Sequence, residues 1–175
     1  MNGEVFLFTR KVGYQRGQRV LEIGSMDVNG SVRENFHDAQ YIGIDFRDGP
    51  GVDLVMDALD LPSKFPAGYF DIVLCLETLE HCEQWSSVLR AGWGVLKTGG
   101  RMCVTTPSQK KGYHGYPHDY WRFTLADYAH VFNDQQVVHF HDVGSRGVGV
   151  IVVKQNNDLH TDLDPYRVEV PEKFK

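Results

Sequence analysis

The chain has 175 residues, 42% of them hydrophobic, which suits one compact domain with a real core. No apolar run reaches the ~18 residues that a membrane-spanning helix needs. With 18 basic against 23 acidic residues the net charge is -5, which argues against non-specific binding to long nucleic acid or to an anionic membrane.

The opening "MNGEVFLFTRKVG" has no basic leader and no small-residue cleavage site, so it reads as part of the domain. Branched apolar runs then recur in chain order. They are "RVLEI" (19–23), "YIGID" (41–45), "DLVM" (53–56), "FDIVLCL" (70–76), "RMCVTT" (101–106), "QVVHFHDV" (136–143) and "GVGVIVVK" (147–154). The first five are almost continuously apolar, as strands covered by helices on both faces should be. The last two, separated by "GSR", predict an antiparallel hairpin. Between Glu83 and Leu96, Trp85, Val88, Leu89, Trp93 and Leu96 recur at helical spacing, and the glycines of "KTGG" end the helix. Thr124 before "LADYAHVF" is a candidate N-cap, with Asp127 in the first turn. Shorter helices are expected after Ser31 and after Asp57. Strand and helix in alternation predict an α/β fold: a Rossmann-like, doubly wound, mostly parallel seven-stranded sheet with a C-terminal antiparallel hairpin. One domain is expected over 1–154, with 155–175 as a surface tail. Cys75, Cys82 and Cys103 are odd in number, and with Cys75 and Cys103 in apolar runs they read as reduced thiols of a cytoplasmic protein.

In such a sheet a ligand lies beyond the carboxyl ends of the strands. The first strand ends in Glu22 and Gly24, the second in Asp45, the fourth in Leu76 and Glu77. A carboxylate where Asp45 stands can accept hydrogen bonds from both hydroxyls of a ribose. The loop after the first strand, "GSMDVNG", carries Ser25, Met26 and Asp27 where a pyrophosphate-binding loop has its second glycine. Asp27 would repel a pyrophosphate. The acids Glu22, Asp27 and Glu77 instead suit the ammonium and sulfonium of S-adenosylmethionine, and Asp57, followed by Ala58, can accept from an adenine amino group. A nicotinamide-dependent oxidoreductase is disfavoured for want of the glycine fingerprint.

These segments together resemble a class I S-adenosylmethionine-dependent methyltransferase of the type 11 methyltransferase-domain kind. "VLEIGSMDVNG", "YIGIDFRDGPGVD", "MDALDLP", "FDIVLCLETLEHC" and "VLKTGGRMCVTTP" follow the family's motifs in order. The first of them departs from the family in lacking the second glycine. The resemblance implies S-adenosylmethionine as cofactor, held by Glu22, Gly24, Ser25, Asp27, Asp45, Phe46, Asp57, Ala58, Leu76 and Glu77. It implies methyl transfer to a small molecule, with a non-catalytic binding module of regulatory or assembly role as the alternative.

The acceptor side falls to "KKGYHGYPHDYWRFT", which follows the fifth strand. Tyr113, His114, Tyr116, Trp121 and Arg122 are the candidate substrate contacts, and His81 and His118 the candidate proton acceptors. His114 and His118 have the spacing of a helical metal pair, but Pro117 between them breaks a helix, so no metal is expected there. A second read of "DYWRFT" is structural, with Asp119 and Arg122 paired and Thr124 capping. Residues 108–118, with two glycines, a proline and no apolar period, are expected to form a mobile lid. A second copy of the chain is a candidate cover for the site.

Overall fold

A computed structural model describes residues 3–115, 118–142 and 147–171. Strands β1 (Arg19–Ile23), β2 (Gln40–Asp45), β3 (Leu54–Val55), β4 (Phe70–Leu76), β5 (Leu96–Thr106), β7 (Gln136–Asp142) and β8 (Val148–Val153) form one seven-stranded sheet in the order β3-β2-β1-β4-β5-β8-β7. The first five run parallel, and β8 and β7 add antiparallel strands beyond β5. The mostly parallel sheet and its terminal antiparallel pair are as the apolar runs predict. The "GSR" turn between β7 and β8 lies outside the described residues.

Alternation along the strands gives each face of the sheet its own core. Leu21, Ile23, Val73, Cys75, Met102 and Val104 face α3 (Trp85–Val95) and α4 (Leu125–Val131). Val20, Ile72, Leu74, Cys103 and Ile151 face α1 (Gly3–Thr9), from which Val5 and Phe8 insert. At about 25 cal/mol per Å² of apolar surface buried, two such layers supply the main drive to fold. Helix α3 packs so closely that a Cβ on Gly92 would come 2.8 Å from Ile23 Cδ1. Its last turn is closed by the buried Lys154, whose Nζ donates to the Trp93 and Leu96 carbonyls at 2.7 and 2.8 Å. Thr124 and Asp127 cap α4 reciprocally, as the sequence suggests.

Three segments differ from expectation. After Ser31 there is only a 3-10 turn, Arg33–Phe36, because Val32 and Phe36 are the only apolar anchors and fit a single turn. After Asp57 a 3-10 turn, Ala58–Asp60, leads into the one-turn α2 (Leu61–Lys64), which Pro66 prevents from extending. The segment after Val153 packs back onto the domain. Leu159 is buried, and β9 (Tyr166–Arg167) pairs antiparallel with β6 (Trp121–Arg122), so Arg122 lies opposite Tyr166. Strand β7 is an edge of the main sheet and leaves Val138 and Phe140 exposed.

Candidate active site

The strand order reverses between β1 and β4, from which the chain winds outward in both directions. The crevice at their carboxyl ends is where such sheets bind ligands. Gly24 leaves β1 with φ +76, and Glu77 leaves β4 with φ +50, a left-handed conformation uncommon outside glycine. Between them stands Thr78, its hydroxyl 3.2 Å from the Ile23 carbonyl and 3.0 Å from that of Leu76. A Cβ on Gly24 would fall 2.3 Å from this hydroxyl, so the first loop turns against Thr78 only because residue 24 has no side chain. The Gly24 and Ser25 amides both donate to the Ile44 carbonyl, at 2.9 and 3.0 Å, which ties the loop to β2.

Asp45 stands at the tip of β2, nearly buried. Its carboxylate accepts from the Arg47 amide at 3.0 Å and, weakly, from the Met26 amide at 3.4 Å. These amides hold it in a fixed orientation and leave acceptor capacity on both oxygens. Beside it the Ser25 hydroxyl is buried without a hydrogen-bond partner. Phe46 and Leu59 are exposed on the same edge. A fixed carboxylate, an unpaired hydroxyl and an apolar shelf fit a nucleoside. Acids flanking the first loop fit a cationic substituent on it. The donor set therefore suits S-adenosylmethionine.

The other sequence-predicted acids hold local structure as well. Asp27 accepts from the Gly30 amide at 2.5 Å and closes its own turn. Asp57 accepts from the Leu59 amide at 2.9 Å and caps the turn that contains Ala58. Glu22 is buried and accepts from the Tyr41 hydroxyl at 2.7 Å. Burial pushes its carboxyl up to about 7, although Tyr41 and Arg33 favour the charged form. A permanent anion at Glu22, as the sequence implied, is thus replaced by a group that ionises near neutrality. Leu76 is buried in the sheet, and Glu77 lies beyond it, its carboxyl raised by burial against the pull of Lys111 and Arg122.

The residues expected on the acceptor side stand on or near the turn Leu79–His81 and in the loop after β5. Arg122, expected at the substrate, is wholly buried and serves the loop. It pairs with Asp119 through both terminal nitrogens and donates to the Lys111 and Gly112 carbonyls at 3.0 and 2.9 Å. Asp119 in turn accepts from the His114 amide at 2.8 Å. Burial would raise the Asp119 carboxyl, but Arg122 and that amide hold it below the usual range. Lys111, Gly112 and His114, in the segment expected to form a mobile lid, are accordingly tied to a buried ion pair. Tyr120 adds a bond from its amide to the Glu80 carbonyl at 2.7 Å.

His81 Nδ1 meets the His118 carbonyl, so it is the donor and Nε2 carries the lone pair. His118 contributes this carbonyl while its ring is exposed beside Tyr120, with centroids 5.5 Å apart. The His114 and His81 ring centroids lie 5.2 Å apart. Burial pushes the His114 imidazole down to about 4, against the pull of Asp119, which leaves it neutral at neutral pH. Trp121 donates from Nε1 to the Cys82 carbonyl at 2.9 Å, with Arg167 over its ring. Tyr113 folds over Gly115, and Tyr116 lies outside the described residues. Thr78, Glu80 and Asp119 are the members that sequence reasoning did not assign to the site. A polar residue next to a buried run, as Glu80 is in "ETLEHC", was the available signal.

At the opposite edge of the sheet a cavity of about 220 Å³ is lined by Gly13, Gln18, Asp71, Lys97 and Arg101. Its charges are spent on the protein itself: Lys97 on Asp71, and Arg101 on the Val12 and Gly13 carbonyls. The switch point is the better place for chemistry.

Comparison with known proteins agrees. Residues 21–104 match the family described as methyltransferase domain. A ubiquinone biosynthesis O-methyltransferase of Pseudomonas savastanoi pv. phaseolicola is 32% identical over 104 residues, which cover 51% of this chain and 44% of that protein. The chain thus spans less than half the length of the curated relatives it matches. Two solved structures share the fold at 16% identity. One is the Burkholderia thailandensis 1,6-didemethyltoxoflavin-N1-methyltransferase with S-adenosylhomocysteine bound (TM-score 0.66, 81% of this chain and 72% of that one). The other comes from a complex between the Haloferax volcanii Trm112 methyltransferase activator and a methyltransferase (TM-score 0.67, 88% and 89%). With its sheet order, its acid-tipped strand ends and a methyltransferase-domain match running from β1 into β5, the chain is similar to the class I S-adenosylmethionine-dependent methyltransferases and shares their fold.

Proposed function

We propose that this chain transfers a methyl group from S-adenosylmethionine to a small-molecule acceptor docked between the turn after β4 and the loop after β5. The observation that carries the reading is the adjacency of two unlike half-sites. Asp45 and the Gly24–Thr78 junction form a nucleoside-accepting edge, and His81, its tautomer set by the His118 carbonyl, stands on the turn that follows Thr78.

When bound, the cofactor supplies an electrophilic methyl on its sulfonium. The chain's own work is then to orient, to exclude water and to take a proton. Asp45 accepts from the ribose hydroxyls and fixes the nucleoside. Arg122 and Asp119 hold the loop, so that the acceptor meets a formed wall, and alignment of the reacting atoms is the largest part of what a protein can add to such a displacement. For a hydroxyl acceptor, His81 Nε2 is the free imidazole nitrogen that receives the proton. The relatives' printed activity, O-methylation in ubiquinone biosynthesis, supports an oxygen acceptor of modest size. The acidic net charge speaks against long nucleic acids as acceptors, and a second copy of the chain is the proposed cover of the open edge near Phe46.

The test is incubation of the protein with methyl-labelled S-adenosylmethionine and pooled small-molecule extracts, followed by mass spectrometry. A protein-dependent labelled product is expected. Stoichiometric binding of S-adenosylmethionine without any labelled product from extracts that contain phenolic, amine and thiol acceptors would count against catalysis.

A further inference from the structure

Glu80 is wholly inaccessible, and neither of its carboxylate oxygens has a hydrogen-bond partner. A buried carboxylate bare on both oxygens is costly, and native proteins supply such a group with a proton, a water or a cation. Two imidazoles stand beside it. His81 Nε2 is 3.7 Å from Glu80 Oε1, and one ligand-capable atom from each of Glu80, His81 and His114 lies within 4.8 Å of the other two. His81 has the outer contact of a metal-binding histidine, with Nδ1 given to the His118 carbonyl and Nε2 kept for the ion. His114 Nδ1 lies 3.0 Å from Asp119 Oδ2 and 3.2 Å from Arg122 Nη2, so His114 keeps Nε2 for the ion in the tautomer whose proton is on Nδ1, towards Asp119.

We propose that Glu80, His81 and His114 form a binding site for a divalent transition-metal ion of zinc-like preference. Two imidazoles and one carboxylate select first-row transition ions over magnesium or calcium, which favour all-oxygen sets. The charged neighbours of this trio are Glu77, Asp119, Lys111 and Arg122. With Glu80, carboxylates outnumber cationic side chains by one, so a dication does not meet a positive field. Bonds of about 2.0–2.1 Å place ligands roughly 3.0–3.4 Å apart, so binding contracts the trio by about an ångström. His114 belongs to the loop after β5, and the contraction therefore latches that loop to the turn after β4. Three protein ligands leave a position open. Occupied, the ion takes the His81 nitrogen that accepts a proton in the metal-free site, and an acceptor oxygen fits the open position. The binding itself does not depend on methyl transfer.

The protein, stripped with a chelator, is titrated with Zn²⁺ by calorimetry and with Co²⁺ by visible absorption. One equivalent at micromolar Kd or tighter is expected. His114→Ala and Glu80→Gln should each weaken binding at least tenfold. A double variant His130→Ala/His160→Ala, which removes the surface pair near Asp162 and Asp134, should bind as the parent does. Zn²⁺ should also slow amide exchange over residues 108–115. No stoichiometric binding by the parent, parental affinity in folded His114→Ala, loss of the ion in the surface double variant, or a loop whose exchange ignores Zn²⁺ would each overturn the site. Should Glu80→Gln fail to fold, His114→Ala on the loop carries the test.

Discussion

Arg122 Nη1 and Nη2 lie 2.5 and 2.6 Å from the two carboxylate oxygens of Asp119, and neither side chain reaches solvent. Removing one partner of such a pair leaves a buried charge without compensation, which costs about 3–5 kcal/mol. Arg122→Ala is expected to lower stability by that order, read from the urea midpoint. Arg122→Lys should recover little, because a lysine cannot span Asp119 and the Lys111 and Gly112 carbonyls at once. A midpoint unchanged in Arg122→Ala would mean that the loop stands without its clamp.

At the cofactor edge, Asp45→Ala should weaken S-adenosylmethionine by about 1–3 kcal/mol, the range for lost charge-assisted hydrogen bonds. NAD should not bind either protein. Calorimetry on the folded variant is the check, and equal affinity would remove Asp45 from the ribose.

Gly24 makes a sharper prediction, because two separable penalties meet there. An alanine forced to φ +76 costs about 1–2 kcal/mol from backbone strain, and its Cβ also collides with Thr78. Gly24→Ala should therefore be destabilised by more than the strain alone, and adding Thr78→Ala should restore only the collision's share. Strictly additive midpoints in the double variant would show that the two residues do not touch.

Glu22 sets a pH dependence. Its carboxyl is pushed from 4.5 up to about 7 by burial, so the folded state holds a proton that the unfolded state releases. Below about pH 4.5 both states are protonated and nothing is lost. As pH rises towards 7 and beyond, ionisation inside the fold costs stability, by about 3 kcal/mol at most for a shift of this size. Glu22→Gln keeps an acceptor for the Tyr41 hydroxyl without the charge, and should be more stable than the parent at pH 8 but not at pH 4.5. Thermal melts across that interval measure it, and a gain independent of pH would assign the effect to something other than ionisation.

The strands were legible because residues 19–23, 70–76 and 101–106 are covered on both faces, so their apolar runs are nearly unbroken. The Thr124–Asp127 cap was legible for the same local reason: its atoms come from adjacent positions. The 3-10 turn at Arg33–Phe36 was not, since one turn carries no period to count. Nor was the pairing of Tyr166 with Arg122, which a two-residue strand cannot announce. The place of Asp45 at the end of a strand could be read from the sequence. Glu80, His81 and His114 could not be read as a group, because the fold, not spacing along the chain, brings them together. Arg122 could be read from the sequence both as a substrate contact and as the partner of Asp119, and it is the fold that shows the carboxylate and carbonyls it holds.

During synthesis, β1, β2 and β3 leave the ribosome as a contiguous parallel unit, and β4 and β5 then extend it from β1. The outer edge of β5 must wait longer. Its partner is β8, which emerges only after β6, α4 and β7 have been made. Through that interval Arg101–Thr106 presents free amides and carbonyls beside buried-type side chains, a template for pairing with any other nascent chain. A product truncated before Val148 would keep that edge bare for good, and should be recovered as aggregate, not as a shorter soluble domain.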